Sequence, residues 1–494
     1  MKTAYLKYDS QRTVSHISRE IYGHFSEHLG RCIYDGIFVG KESQIANTDG
    51  IRNDVIQALK EIKIPVLRWP GGCFAEEYHW RDGIGKDRRI TLNSHWGKVP
   101  DDNSFGTHEF FRLCELLGCK AYLAGNLGSG TVQELSEWLE YITGDVDTSI
   151  VRERRQNDRE KPWKLDYLGI GNENWGEGGA MRPEYYSDLY RQYQAFARNY
   201  SNPDMIKVAC GANADDYKWT ETLMQRLNSQ QTRALSLHYY TIPTGDWFHK
   251  GDAVNFSESE YYSTMQKACQ IEELLARHSQ IMDNYDPDRK IKLFVDEWGC
   301  WYDAENGTNP EFLYQQNTMR DALVAAVHLN DFNQHSERVT MANLAQTMNV
   351  LQAVLLSDGE KLIKTPTWHV FRMFVPHHNA ELVRTSLASS CIYHDNTEIP
   401  QINCSVSKKN NKIFITAANL SLSDSCLMLI EPENSYINSA EGNIITAEVH
   451  TRNEFDREEQ VNIQKYDNFT IMDRKLSVEL PPCSIVSLCI DEPQ

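Results

Sequence analysis

The sequence predicts an α/β protein: a (β/α)8 TIM barrel followed by a C-terminal all-β sandwich of jelly-roll-like pattern. Three observations carry that expectation. From Glu20 onward, a short apolar run, a polar signature and an amphipathic helix recur eight times, which is the unit of a parallel barrel. Two of the runs, LDYLGIG before Asn172 and Glu173 and KLFV before Asp296 and Glu297, deliver carboxylates at their C-terminal ends, where such a barrel carries its chemistry. After Pro376 the apolar period becomes two, as in NKIFITAANLSL and KLSVELPPCSIVSLCI, with Asn-, Ser- and Pro-rich turns between.

The elements follow in order. Residues 1–17 (TAYLKYD, RTVSHIS) alternate like a strand and are expected to pair with the sandwich. The barrel is expected over 18–375. Its strands are EIYGHFSEHLG, IPVLRWPGG, KAYLAGNLGSG, LDYLGIGNENWG, KVACGANADD, ALSLHYYT, KLFVDEWGCWY and TMANLAQTMN. Stretches with helical periodicity separate them, among them GIRNDVIQALKEI, THEFFRLCELLG, TVQELSEWLEYI and PEYYSDLYRQYQAFARN. A doubly wound nucleotide fold would need Gly-x-Gly-x-x-Gly after the first strand, and no such motif stands there. Residues 244–259 form a long mixed loop after the sixth strand, expected at the rim of a site. The sandwich is expected over 376–494.

Composition narrows the ligand. Fifty Lys and Arg against 69 Asp and Glu give a net charge of −19, which argues against nucleic acid and anionic membrane and suits a neutral ligand such as a sugar. No apolar run approaches the roughly 20 residues of a membrane span. The start, MKTAYLKYDS, has no apolar signal core, so the expected location is cytoplasmic. Twelve scattered cysteines without a Cys-x-x-Cys pair read as reduced, buried small side chains rather than a zinc or disulfide framework.

Several constellations bear on chemistry. Carboxylates at the ends of two separate strands, Glu173 and Glu297, are what glycoside hydrolysis needs, one as acid/base and one as nucleophile or base. The bland alternative is a turn capped by Asn172 and Glu173. His24-Phe-Ser-Glu27-His28 matches His-x-x-Glu-His, but a zinc site there needs one helical face. Ile21, Tyr22 and Phe25 read as strand, so Glu27 is expected in the barrel mouth with the histidines supporting it. Arg68, ending the second strand, suits a bidentate grip on a carboxylate, whether structural or catalytic. Cys73 lacks a marked His/Asn pair for nucleophilic work and reads as a small ligand-facing thiol. His95 and Trp96 lie in the following loop, as part of a sugar subsite or as packing. His238 and Tyr240 end the sixth strand, where a phenol can donate to a nucleophilic carboxylate. Gln346, ending the eighth, suits a sugar hydroxyl.

With these residues assembled, the chain resembles glycoside hydrolase family fifty-one, the α-L-arabinofuranosidases of clan A. The resemblance rests on YGHFSEHLGRCIYDG, RWPGGCFAEEYHW, GNENWGEGG, LSLHYY, DEWGCWY and MANLAQTMNVLQA, in family order across the barrel. It implies that Glu173 is the general acid/base and Glu297 the nucleophile of a retaining exo-hydrolase releasing arabinofuranosyl groups from arabinan or arabinoxylan oligosaccharides. It further implies sugar contacts from Glu27, Cys73, Asn172, Tyr240 and Gln346, support of the nucleophile by Arg68 and Tyr240, and weaker carry-overs at His95, Trp96 and Trp247. No metal or organic cofactor is expected, and a homo-oligomer, often a hexamer in the family, is. The alternatives are an endo-β-glucanase or β-xylosidase on the same barrel, and a sugar-binding protein without catalysis.

Overall fold

The computed structural model describes residues 2–395 and 397–492. Eight parallel strands close a barrel in chain order: Gly23–Phe25, Val66–Trp69, Lys120–Gly125, Tyr167–Ile170, Ile206–Asn213, Ala234–Thr241, Lys292–Cys300 and Val339–Ala345. Closure runs through Asn343 paired with Gly23. Each strand is one of the eight apolar runs, and a helix follows each. The longest, Glu258–Tyr285, starts on a capping box in which Ser257 and Glu260 satisfy each other's free backbone N–H groups. Among the described residues no helix is long and apolar enough to cross a membrane.

The barrel is filled in two layers. Val66, Tyr122, Tyr167, Val208, Ala234, Phe294 and Met341, from seven different strands, form an apolar plug in the lumen. The polar groups of the strand ends lie beyond it, and the Tyr122 hydroxyl crosses over to donate to Asp296 Oδ2 at 2.6 Å. A large cluster of aliphatic and aromatic side chains joins strands to helices, with Trp69 stacked on Phe110 at 5.0 Å.

The seventh strand departs from regularity where it matters. Consecutive strand residues point to opposite faces, so a flat strand would send only one of Asp296 and Glu297 into the lumen. Pairing slips between Ser236 and His238 on one side and between Val295 and Trp298 on the other. Such bulges re-aim side chains, and here both carboxylates reach Arg68.

Most C-terminal strands form one ten-stranded sheet, while Cys391–His394 and Thr397–Pro400 pair with each other. The strand Lys2–Ile17 lies in the middle of the large sheet, antiparallel to Ala380–Ala388 and parallel to Cys426–Pro432. Tyr466 and Phe469, on the two edge strands, pack on the same core as Leu6, Val406, Ile415 and Leu488, so the sheet rolls over on itself. Helix Met319–Gln334 of the barrel packs against its strands Ile402–Lys409 and Lys412–Asn419.

Candidate active site

The site forms where the fourth and seventh strands end. Gly171 (φ +89°) stops the fourth strand; a Cβ there would sit 2.0 Å from Asn174 Oδ1, so only glycine fits. Glu173 itself is left-handed, with φ +43°, a conformation that non-glycine residues hold only when the surroundings enforce it. Its Oε1 lies 2.7 Å from His238 Nδ1, and Cys73 Sγ donates toward its Oε2 at 3.7 Å.

Glu297 is buried and held from two sides. Arg68 Nη1 donates to its Oε1 at 2.7 Å and Tyr240 Oη to its Oε2 at 2.8 Å. Arg68 also donates through Nη2 to Asn172 Oδ1 at 2.5 Å. The His238 ring sits between three carboxylates: Nδ1 is 3.6 Å from Glu297, and Nε2 is 3.1 Å from Asp296. An oxygen of Glu173 and an oxygen of Glu297 lie within 4.8 Å of each other and of a His238 nitrogen.

The charges explain one another. Burial pushes the His238 imidazole down, but Glu297, Asp296 and Glu173 overcome it and hold it at about 10, so it is an imidazolium that donates. Burial raises the Glu297 carboxyl, with the neighbouring Glu173 adding to the rise and His238 and Arg68 opposing it. Burial works on Asp296 too, yet Arg68, His238 and Tyr122 hold it below the usual carboxylate range. Glu173, His238 and Glu297 have the spacing of metal donors. With both ring nitrogens turned to carboxylates, a protonated His238 offers no lone pair to a cation.

A second carboxylate wall faces this pair. Glu27 accepts from Phe74 N at 2.9 Å, Trp96 Nε1 at 2.9 Å and Gln346 Nε2 at 3.0 Å. Burial and the Glu297 charge push it up to about 7 against the Phe74 and Trp96 donors and Arg68. Asn172 Nδ2 and Gln346 Oε1 are buried without a partner among the described residues.

Two family models match: the α-L-arabinofuranosidase 1 domain over residues 58–267 and the α-L-arabinofuranosidase C-terminal domain over 296–484. The intracellular exo-α-L-arabinofuranosidase of Bacteroides ovatus is 47% identical over 96% of this chain and 92% of its own length. The chain belongs to glycoside hydrolase family fifty-one. The solved family fifty-one arabinofuranosidase of Xanthomonas axonopodis pv. citri superposes with a TM-score of 0.97 at 43% identity, covering 99% of this chain and all of that one. An α-L-arabinofuranosidase from Thermotoga maritima, solved as an arabinose complex, gives 0.86 at 29% identity over 99% and 100%.

Within this family fifty-one chain the expected residues fall into three groups. Glu27, Arg68, Cys73, Trp96, Asn172, Glu173, His238, Tyr240, Glu297 and Gln346 come together in one site. It comes in two halves, Glu27 with Trp96 and Gln346 in one and the rest in the other, linked through the Cys73–Phe74 turn. Trp247 lies at the rim, 47% exposed, edge-on to Trp301 at 5.0 Å, and Trp301 in turn stands against Tyr240 at 5.0 Å. His95 makes no hydrogen bond to that site: its backbone N donates to Glu77 at 3.4 Å, and its ring makes no hydrogen bond among the described residues.

The histidines flanking Glu27 divide. His28 supports the wall by stacking on Phe74 at 4.7 Å, pinned by Asp101 at 2.7 Å. His24 does not: it is fully buried against Phe371, with neither nitrogen hydrogen-bonded among the described residues. Strand alternation explains the correction, because in the first strand Gly23 and Phe25 share one face and His24 the other. Sequence reasoning missed Glu76, Asn174, Tyr122 and Trp301 and assigned Asp296 no role. Glu76 and Trp301 stand inside motifs already singled out, but nothing in their spacing marks them.

Proposed function

We propose that this chain is a retaining, exo-acting α-L-arabinofuranosidase that releases terminal α-L-arabinofuranosyl groups from arabinan and arabinoxylan oligosaccharides. One observation carries the reading: the Glu173 and Glu297 oxygens within 4.8 Å, on the ends of different strands. Retaining glycosidases keep their carboxyls about 5–5.5 Å apart, whereas inverting ones leave about 6.5–9.5 Å for a water. The named relatives support the sugar.

In this reading Glu297 attacks the anomeric carbon while Arg68 and Tyr240 orient it. The imidazolium of His238 occupies Glu173 Oε1, which leaves Oε2, beside Cys73, to carry the proton for the departing oxygen. When the Glu297 charge passes into the glycosyl bond, Glu173 loses its anionic neighbour and takes a proton from the incoming water. Asn172 Nδ2, Gln346 Oε1 and the Glu27 carboxyl supply hydrogen bonds to the sugar, and the cross-ties from Glu27 to Trp96 and Gln346 favour a closed pocket for a terminal residue.

The test compares hydrolysis of an aryl α-L-arabinofuranoside with an aryl β-D-xyloside and cello-oligosaccharides, with Glu173→Ala as control. Arabinofuranoside preference that collapses in the variant is expected. A main activity on cello-oligosaccharides would keep both glutamates and overturn the substrate. Binding without turnover by folded protein would overturn the enzyme reading. The word intracellular in the Bacteroides ovatus relative's name supports a cytoplasmic site of action, and the family resemblance supports a homo-oligomer. Cell fractionation and light scattering test these two points.

A further inference from the structure

We propose that Glu76 is a positioning residue of the reaction, a carboxylate that sets the Asn172–Glu173–Asn174 turn and so aims the general acid/base. It is 3% exposed and has no cationic partner among the described residues. Four N–H donors converge on it instead. Oε1 accepts from Asn172 N and from Asn174 Nδ2 at 2.8 Å; Oε2 accepts from Leu127 N at 2.6 Å and Gly128 N at 2.5 Å. Both oxygens are thus saturated by donors alone, one pair from the loop after the fourth strand and one from the loop after the third. Burial pushes its carboxyl up to about 7 against those four bonds.

The geometry ties these bonds to Glu173. Asn172 and Asn174 flank it in sequence, and fixing both holds Glu173 in its left-handed conformation. Asn174 Nδ2 also reaches Gly178 O at 2.9 Å, closing the turn, and a Cβ at Gly178 would meet Asn172 O at 2.1 Å. Glu76 ends a short helical turn, Cys73–Glu76, whose other residues serve the same site: Cys73 faces Glu173 and Phe74 N binds Glu27. One turn therefore references the acid/base to the sugar-binding carboxylate. A misplacement on the scale of 1 Å costs about 10²-fold in rate.

The inference rests on the reading of Glu173 as acid/base, and leaving-group dependence separates the two. A phenyl α-L-arabinofuranoside needs protonation of its leaving oxygen; a 2,4-dinitrophenyl one does not. Glu76→Gln keeps the shape but turns an NH2 toward one donor pair. Expected is a loss in kcat/KM of about 10²-fold on the phenyl substrate and under about 10-fold on the dinitrophenyl one. Asn174→Ala, which removes one of the four bonds, should show the same signature at smaller size and keeps the test open if Glu76→Gln folds poorly. Equal losses on both substrates, or none, in a folded variant overturn the proposal. If Glu173→Ala shows the leaving-group difference and the two positioning variants do not, only the Glu76 inference fails. If Glu173→Ala hydrolyses the phenyl substrate at near wild-type rate, the acid/base reading fails and takes this inference with it.

Discussion

The barrel mouth around Glu173 and Glu297 and the seam where helix Met319–Gln334 meets the C-terminal sheet are both buried and both polar, yet they are wired differently. In the seam, neutral groups answer each other. Tyr22 donates to Asn333 at 2.6 Å, Asn333 to Ser405 at 3.1 Å, and Ser405 and Thr416 both donate to Asn330 at 2.8 and 2.7 Å. Asn330 donates to Asn403 at 2.8 Å, and Asn403 to Asp331 at 2.9 Å. The asparagine, serine and threonine groups of this chain of bonds are satisfied. In the mouth, charges stand against charges, and Asn172 Nδ2 and Gln346 Oε1 have no hydrogen-bond partner among the described residues. A buried polar network that closes on itself holds the fold; one left open at selected atoms is poised to bind. Buried polar surface alone does not distinguish the two.

The largest effect should come from Glu297→Ala, with turnover down on the order of 10⁴-fold and the fold retained. Added azide should restore turnover with inversion to the β-L-arabinofuranosyl azide, whereas azide with Glu173→Ala should give the α-azide. Product analysis by proton NMR checks both, and the opposite pairing would exchange the two roles. Arg68→Met should cost activity and stability together, about 3–5 kcal/mol of unfolding free energy in urea melts, because it leaves the buried Asp296 and Glu297 with His238 as their one remaining cation among the described residues. Unchanged stability there would mean that the mouth does not depend on its charge balance.

A matched pair of amide deletions sharpens the contrast. Asn172→Ala should lower kcat/KM about 10²-fold and also cost stability, since it strands the buried Arg68 Nη2 that donates to it. Asn333→Ala, in the seam, should lower unfolding free energy by about 1–3 kcal/mol, since it strands the Tyr22 hydroxyl, and leave kcat/KM unchanged. If both variants lost activity alike, the division between the networks would be wrong. The smallest effect on activity concerns Asp331, which burial and, to a lesser degree, the Glu272 charge raise from 3.8 to about 7 against its Asn403 hydrogen bond. Between those values the folded state holds a proton that the unfolded chain has released, so stability should fall as pH rises through that window. Asp331→Asn should flatten that part of the stability–pH curve without moving the activity profile.

Much of the fold was legible because its signals are local. All eight barrel strands, and the strand ends carrying Arg68, Asn172, Glu173, Tyr240, Glu297 and Gln346, could be read from apolar runs that stop at polar groups. Trp247 marked the rim loop, though its link to the site passes through Trp301, which carried no signal of its own. His24 was misassigned because a three-residue strand is too short for alternation to be recognised. The sheet that rolls over one core reads in sequence like two sheets, since both present the same period of two.

The sequence by itself determined which chemical groups stand at the strand ends and that two of them are carboxylates on different strands. Only the tertiary structure decided that Asp296 and Glu297, adjacent in sequence, turn into one lumen, because that depends on pairing slips with neighbouring strands. Only it decided that His238 is charged, because three carboxylates from separate elements surround the ring. The same holds for Glu76, whose four donors come from two loops distant in sequence. Periodicity encodes which way one strand faces; electrostatic and hydrogen-bond environments are sums over neighbours, and those exist only once the barrel has closed.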